Sequence, residues 1–210
     1  MSDLVLHGYW RSTASWRVRI ALGLKGLGHA DAFHHLRKGE QRDAAFLALN
    51  PQGFVPALKV DGAVLTQSLA ICEYLDEVHP DPPLLPAEAV SRARVRAAAL
   101  AIACDVHPVQ NLTVLSRLRG LGLGEEAVTG WAHDTIAGGL AAFDVLVAGE
   151  GRYCFGDSVT LADLCLIPQL YNARRFGVDL VWPRLLAIEA ACCTLSAFRD
   201  AAPERQPDAE

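Results

Sequence analysis

Residues 4–26 read LVLHGYWRSTASWRVRIALGLKG, and three signals follow one another along that stretch. The apolar run at 4–8 reads as a short buried strand. Ser12, Thr13 and Ser15 stand where a helix opens, because a hydroxyl oxygen there can accept a first-turn N–H. Val18, Ala21 and Leu22 recur at helical spacing, and Gly26 closes the run. Strand, hydroxyl-rich turn and capped helix together place a helix N-terminus, with its unpaired N–H groups and positive dipole end, at the end of a strand.

Working outward, a second strand is expected at 32–36 and a helix at 40–49, after which Asn50-Pro51-Gln52-Gly53 breaks the chain. Residues 55–60 and 63–66 flank Asp61-Gly62, a strong hairpin signal, and Gln67-Ser68 opens a further helix. The order β-α-β-α-β-β-α forms a small α/β module that closes near Val78. Residues 79–86 hold four prolines in eight positions and read as an extended linker. Beyond them every pattern is helical: 87–118, 125–147, a helix opened by the Thr160/Asp163 capping box, and shorter ones at 184–193 and 196–201. The expected domains are 1–79 (α/β), 80–86 (linker) and 87–210 (all-α), with residues 203–210 frayed. No internal repeat is found.

The chain has 210 residues, 51% hydrophobic and 20% charged, ample for a packed core and excluding a disordered chain. A net charge of −5 argues against non-specific nucleic-acid binding. The start, from Met1 to His7, carries no basic leader, and the densest apolar run, 97–104, falls short of the ~20 residues of a membrane span. The six cysteines form no CxxC pair, and most sit among apolar neighbours as core residues. A cytoplasmic protein without membrane or nucleic-acid partners is the expectation. Phosphate-loop, dinucleotide and zinc motifs are absent, and His34-His35 has no further ligands nearby, so no metal is expected.

Four clusters could carry chemistry. At Arg11-Ser12-Thr13-Ala14 a hydroxyl at a helix start could stabilise a thiolate, or could simply be the N-cap. Val55-Pro56 followed by Gln67-Ser68 describes an X-Pro bond, cis in one reading, before a strand edge that could pair with an extended peptide, then a helix start that could hold its carboxylate. Cys104-Asp105-Val106-His107-Pro108-Val109-Gln110-Asn111 would kink a helix, His107 reading as structural and Gln110 staying open. Arg174-Arg175 ends a helix and serves either its dipole or an anion. Arg17 and Arg19 read as surface ion-pairing residues, since alternate helical positions do not face one site.

The segment from Tyr9 to Leu22 resembles the Ser-Ser-Cys-x-Trp-Arg-Val-Arg-Ile-Ala-Leu signature of zeta-class glutathione transferases. NPQGFVPAL at 50–58, QSLAI at 67–71, HPVQNL at 107–112, YCFGDSVTLADLC at 153–165, RFGVDL at 175–180 and RQPD at 205–208 continue the resemblance over essentially the whole chain. It implies a thioredoxin-like domain plus an all-helical domain, paired as a homodimer, with glutathione as cofactor. It implies catalytic roles for Ser12, Thr13 and Arg11, glutathione contacts at Ser12, Val55, Pro56, Gln67, Ser68 and Gln110, and substrate carboxylates held by Arg11 and Arg175. The implied reaction is glutathione-dependent cis–trans isomerisation of maleylacetoacetate or maleylpyruvate, in aromatic-compound or tyrosine catabolism. The alternatives are glutathione conjugation or dehalogenation of small α-halo acids, and a non-catalytic binding scaffold. Ala14 departs from the class cysteine, so the thiol must come from glutathione, and Leu112, where some maleylpyruvate isomerases carry Arg, tilts the substrate toward maleylacetoacetate.

Overall fold

A computed structural model describes residues 4–210. Residues 1–3, part of the start read for a leader, lie outside the described residues. The chain divides into two compact units, Met1–Leu84 with Cys193–Glu210, and Leu85–Cys192.

The first unit is built on a four-stranded sheet of order β2-β1-β3-β4, from β1 (Val5–Gly8), β2 (Ala30–Phe33), β3 (Ala57–Val60) and β4 (Ala63–Thr66). β2 runs parallel to β1, whereas β3 is antiparallel to both β1 and β4. Helix α1 (Thr13–Leu24) makes the β1–β2 crossover, and nine of its residues are buried. Ser12 caps it by accepting the Ser15 N–H at 3.2 Å, and Gly26 at φ +66 lets Leu27 N–H bond back to the Leu22 carbonyl. The β3–β4 turn sets Asp61 at φ 47 and Gly62 at φ 83, both left-handed as a type I′ hairpin requires. Helix α3 (Ser68–Val78) packs against α1 and buries Ile71, Cys72 and Leu75.

Three expectations shift here. The second strand sits two residues earlier than 32–36, at Ala30–Phe33, because pairing with β1 (Val5↔Ala30, Gly8↔Phe33) sets its limits. The helix expected at 40–49 is a 3₁₀ turn, Glu40–Arg42, and a short α2, Ala44–Leu47, separated by extended Asp43. The tail 203–210 is not frayed and does not join the helical unit. Ala201 and Pro203 are buried, Asp208 Oδ2 accepts the Trp10 N–H at 2.9 Å, and Gln206 donates to the carbonyls of Asp200 and Ala202.

The second unit is helical: α4 (Ala89–Leu100), a π-helical segment (Ala101–Val106), α5 (Leu112–Gly120), α6 (Glu125–Leu146), α7 (Leu161–Arg175) and α8 (Pro183–Cys192). The last helix of the chain, α9 (Ser196–Asp200), belongs to the first unit and packs on α1. Twelve of the fifteen α7 residues are buried, so this apolar helix forms the centre of its unit. The Asp163 carboxylate, itself fully buried, accepts from Thr160 N at 2.7 Å, Thr160 Oγ1 at 2.9 Å and Cys154 N at 2.9 Å. Desolvation raises its pKa, against those hydrogen bonds. The long helix expected at 87–118 is interrupted after Val106, where the π segment packs so closely on α6 that a Cβ on Gly139 would run into Val106. Cys72, Cys154, Cys165 and Cys192 are buried, Cys104 and Cys193 exposed. Among the described residues no helix is long and apolar enough to cross a membrane.

Candidate active site

The sheet register brings three of the sequence-predicted segments to one end of three strands. β1 ends at Gly8, and its neighbour His7 pairs with Ala57, the first residue of β3; Ala57 pairs in turn with Thr66, the last residue of β4. The turn from Tyr9 to Ser12, the Val55-Pro56 step and the Gln67-Ser68 helix start therefore leave the sheet at the same edge.

Each of these segments is prepared differently. Ser12 Oγ spends one acceptor site on the Ser15 N–H, which leaves its own proton to donate outward. Thr13 is 3% exposed, and its Oγ1 is sealed from solvent without a hydrogen-bond partner. Half-buried Arg11 lies over the Trp10 ring, 5.1 Å from its centroid. The Val55-Pro56 peptide is cis, as is a second, Asp81-Pro82, which the sequence reading passed over. Nothing among the described residues hydrogen-bonds to the Val55 backbone, so its N–H and C=O can pair with an extended peptide. Gln67 sits at φ 69 as the N-cap of α3, its side chain turned to Gln52 Oε1 at 3.0 Å rather than to the helix. The first N–H groups of α3 thus have no side-chain cap, and Ser68 Oγ stands among them.

Two expected residues belong to the second unit. Gln110 follows the π segment, is 3% exposed, and its Nε2 has no hydrogen-bond partner. Asn111, beside it, caps α5 through Thr113 N and Val114 N. Arg175 is exposed at the end of α7, with Nη1 on Asn172 Oδ1 at 2.8 Å and its guanidinium 5.5 Å from the Phe176 ring. Arg174 beside it is engaged in a bidentate pair with Glu189, which separates the roles of the two arginines.

Two family models match this chain, the glutathione S-transferase N-terminal domain over residues 11–78 and the C-terminal domain over 88–191. The chain belongs to the glutathione S-transferase family. A maleylacetoacetate isomerase of Pseudomonas aeruginosa is 49% identical to it, covering 97% of each chain. A solved holo maleylpyruvate isomerase, described as a bacterial zeta-class glutathione S-transferase, superposes with a TM-score of 0.95 at 48% identity, over 98% of this chain and all of that one. A maleylacetoacetate isomerase of Anaeromyxobacter dehalogenans, solved with dicarboxyethyl glutathione and citrate in its active site, gives 0.90 at 47% identity, over 100% of this chain and 98% of that one.

Two arginines of this chain contradict the surface reading. Arg17 is 2% exposed and Arg19 7%. Arg19 reaches the carbonyls of Ala201 (3.0 Å), Tyr9 (3.4 Å) and Trp10 (2.9 Å), and desolvation lowers its pKa to about 10. It therefore holds the turn that leads into Ser12. The signal was present in the sequence: Trp16, Val18, Ile20, Ala21 and Leu22 leave α1 no polar face, so its arginines have no surface to occupy. A second missed feature is the pair His7 Nδ1 and His34 Nε2, 3.0 Å apart and both depressed in pKa, chiefly by desolvation.

Proposed function

We propose that this transferase catalyses glutathione-dependent cis–trans isomerisation of maleylacetoacetate or maleylpyruvate. The observation that carries the reading is the shared sheet edge, where a hydroxyl with an uncommitted proton, an unpaired Val55 backbone and an uncapped helix start stand together. Those three features match a short, extended, thiol-bearing peptide with a free carboxylate, so the residues fit glutathione. Bound there, glutathione supplies a thiolate that adds to the cis double bond, leaves it single for rotation, and departs unchanged.

Ser12 Oγ–H donates a hydrogen bond to the sulfur, favouring the thiolate beside the positive end of α1. The Val55 N–H and C=O orient the peptide, with the ring of Pro56 fixing the chain beyond it. Gln67 and Ser68 receive the γ-glutamyl carboxylate at α3, and Gln110 offers a buried amide donor. Arg11 and Arg175 each present a guanidinium to a substrate carboxylate, and such charge also favours the negative charge that develops as a nucleophile adds to the enedione. Thr13 supports the turn beside Ser12. Ala14 supplies no thiol, so this turn offers no nucleophilic sulfur of the protein's own. We also propose that the chain works as a homodimer in the cytoplasm; equilibrium sedimentation tests the pairing.

The deciding experiment follows the absorbance of both substrates with purified protein and catalytic glutathione. The expected result is glutathione-dependent turnover with no loss of glutathione, and the faster substrate names the physiological one. Stoichiometric consumption of glutathione with a halo acid, and no isomerisation, would replace this reading by conjugation.

A further inference from the structure

Arg17 sits on α1 directly behind the start of α3. Its Nη1 donates to Ser68 Oγ at 3.2 Å, while Nε and Nη2, equally buried, have no hydrogen-bond partner, and no carboxylate pairs with it among the described residues. A lone guanidinium at 2% exposure is costly to bury, and an apolar side chain of similar volume usually serves a fold as well or better. Folding alone therefore does not account for it.

We propose that Arg17 is a positioning residue for the γ-glutamyl carboxylate of glutathione, acting through Ser68 from beneath the α3 N-terminus; this rests on the glutathione reading above. Two physical effects combine. A serine hydroxyl carries one proton and two acceptor sites, and arginine can only donate. Once Arg17 occupies an acceptor site of Ser68, the hydroxyl proton cannot point back at α1 and is directed elsewhere, where it serves as a donor to an anion. The uncompensated charge behind it adds to the positive end of an eleven-residue helix that no side chain caps. Arg17 is too deeply buried to touch the ligand, so its effect falls on binding rather than on the reacting sulfur.

The test is Arg17→Met, measured with glutathione and with the analogue lacking the γ-glutamyl α-carboxylate. The expected result is a melting temperature at or above the parent's, a glutathione KM raised about 10-fold, a kcat at saturation lowered less than about threefold, and no change with the analogue. Arg17→Lys, which keeps charge and one donor, recovers most of the lost affinity. Equal weakening toward both thiols, or an unchanged glutathione KM, overturns the proposal. If the parent itself fails to distinguish the two thiols, the glutathione reading of this helix start falls with it. Should Arg17→Met not fold, Arg17→Gln, which removes the charge, combined with Ser68→Ala decides: the effects on KM are less than additive if the two act as one unit, and additive effects overturn it.

Discussion

The helices of this protein begin in two ways. α4, α5 and α7 satisfy their own first turns, through the Glu88 carboxylate on Val90 and Ser91, the Asn111 amide on Thr113 and Val114, and the buried Asp163 carboxylate on Thr160. α3 begins without any such partner: Gln67 adopts φ 69 and turns its side chain away to Gln52. α1 stands between them, since Ser12 caps it and yet keeps a proton to give. A side chain that completes a helix is a part of the fold, whereas a helix start left incomplete next to a hydroxyl keeps donors that a ligand can use. The difference lies in which hydrogen bonds are already made, not in the residue type, because one serine, Ser12, caps α1 and another, Ser68, stands at the uncapped start of α3.

Mutations at the two kinds of helix start should separate cleanly. The largest effect is expected for Ser12→Ala, with kcat down about 100-fold, as for loss of one donor to a developing anion, and glutathione KM within threefold. Stopped-flow ultraviolet absorbance of the bound thiolate checks the cause, and unchanged turnover would reduce Ser12 to a cap. Next comes Asp163→Ala, which strands three buried donors and should lower stability by about 2 kcal/mol in urea unfolding while leaving glutathione KM untouched. Ser68→Ala should raise glutathione KM about 10-fold with little change in stability, the reverse of Asp163→Ala. A fall in melting temperature without a rise in KM would erase the contrast.

The smallest effect concerns pH. Burial holds His7 and His34 below their ordinary value near 6.5, and a second proton on the pair would set two N–H groups face to face across 3.0 Å. The unfolded chain therefore takes up protons first as pH falls, so the pair's contribution is full above about pH 6.5 and is lost below it. Melting curves from pH 7.5 to 5.5 should decline for the parent and flatten for His34→Phe.

Sequence reading was strongest where one residue decides a local geometry. Asp61-Gly62 specifies its hairpin, Thr160 with Asp163 its helix start, Gly26 its helix end, and Gln67-Ser68 the opening of α3. It failed where partners are distant. Nothing near Arg19 in the chain reveals that it bonds to Ala201, 182 residues away, although its apolar neighbours on α1 already argue against a surface position. β2 begins two residues before its own apolar pattern indicates because its limits come from β1, and the tail reads as loose because its anchor, Trp10, is far away in the sequence. The segments carrying Ser12, Val55, Gln67 and Ser68 were legible as motifs. That they share one sheet edge became visible only through strand register.

The anchoring of residues 201–208 on the Tyr9–Trp10 turn also bears on biosynthesis. Domains emerging from a ribosome commonly complete themselves N-terminal part first. Here the opening module is made early yet stays unfinished while the helical unit is translated, since one of the carbonyls that Arg19 bonds, that of Ala201, and the Asp208 carboxylate that fixes Trp10 follow that unit in the chain. A polypeptide stopped before residue 201 would thus carry a sheet whose Tyr9–Ser12 turn lacks its later anchors.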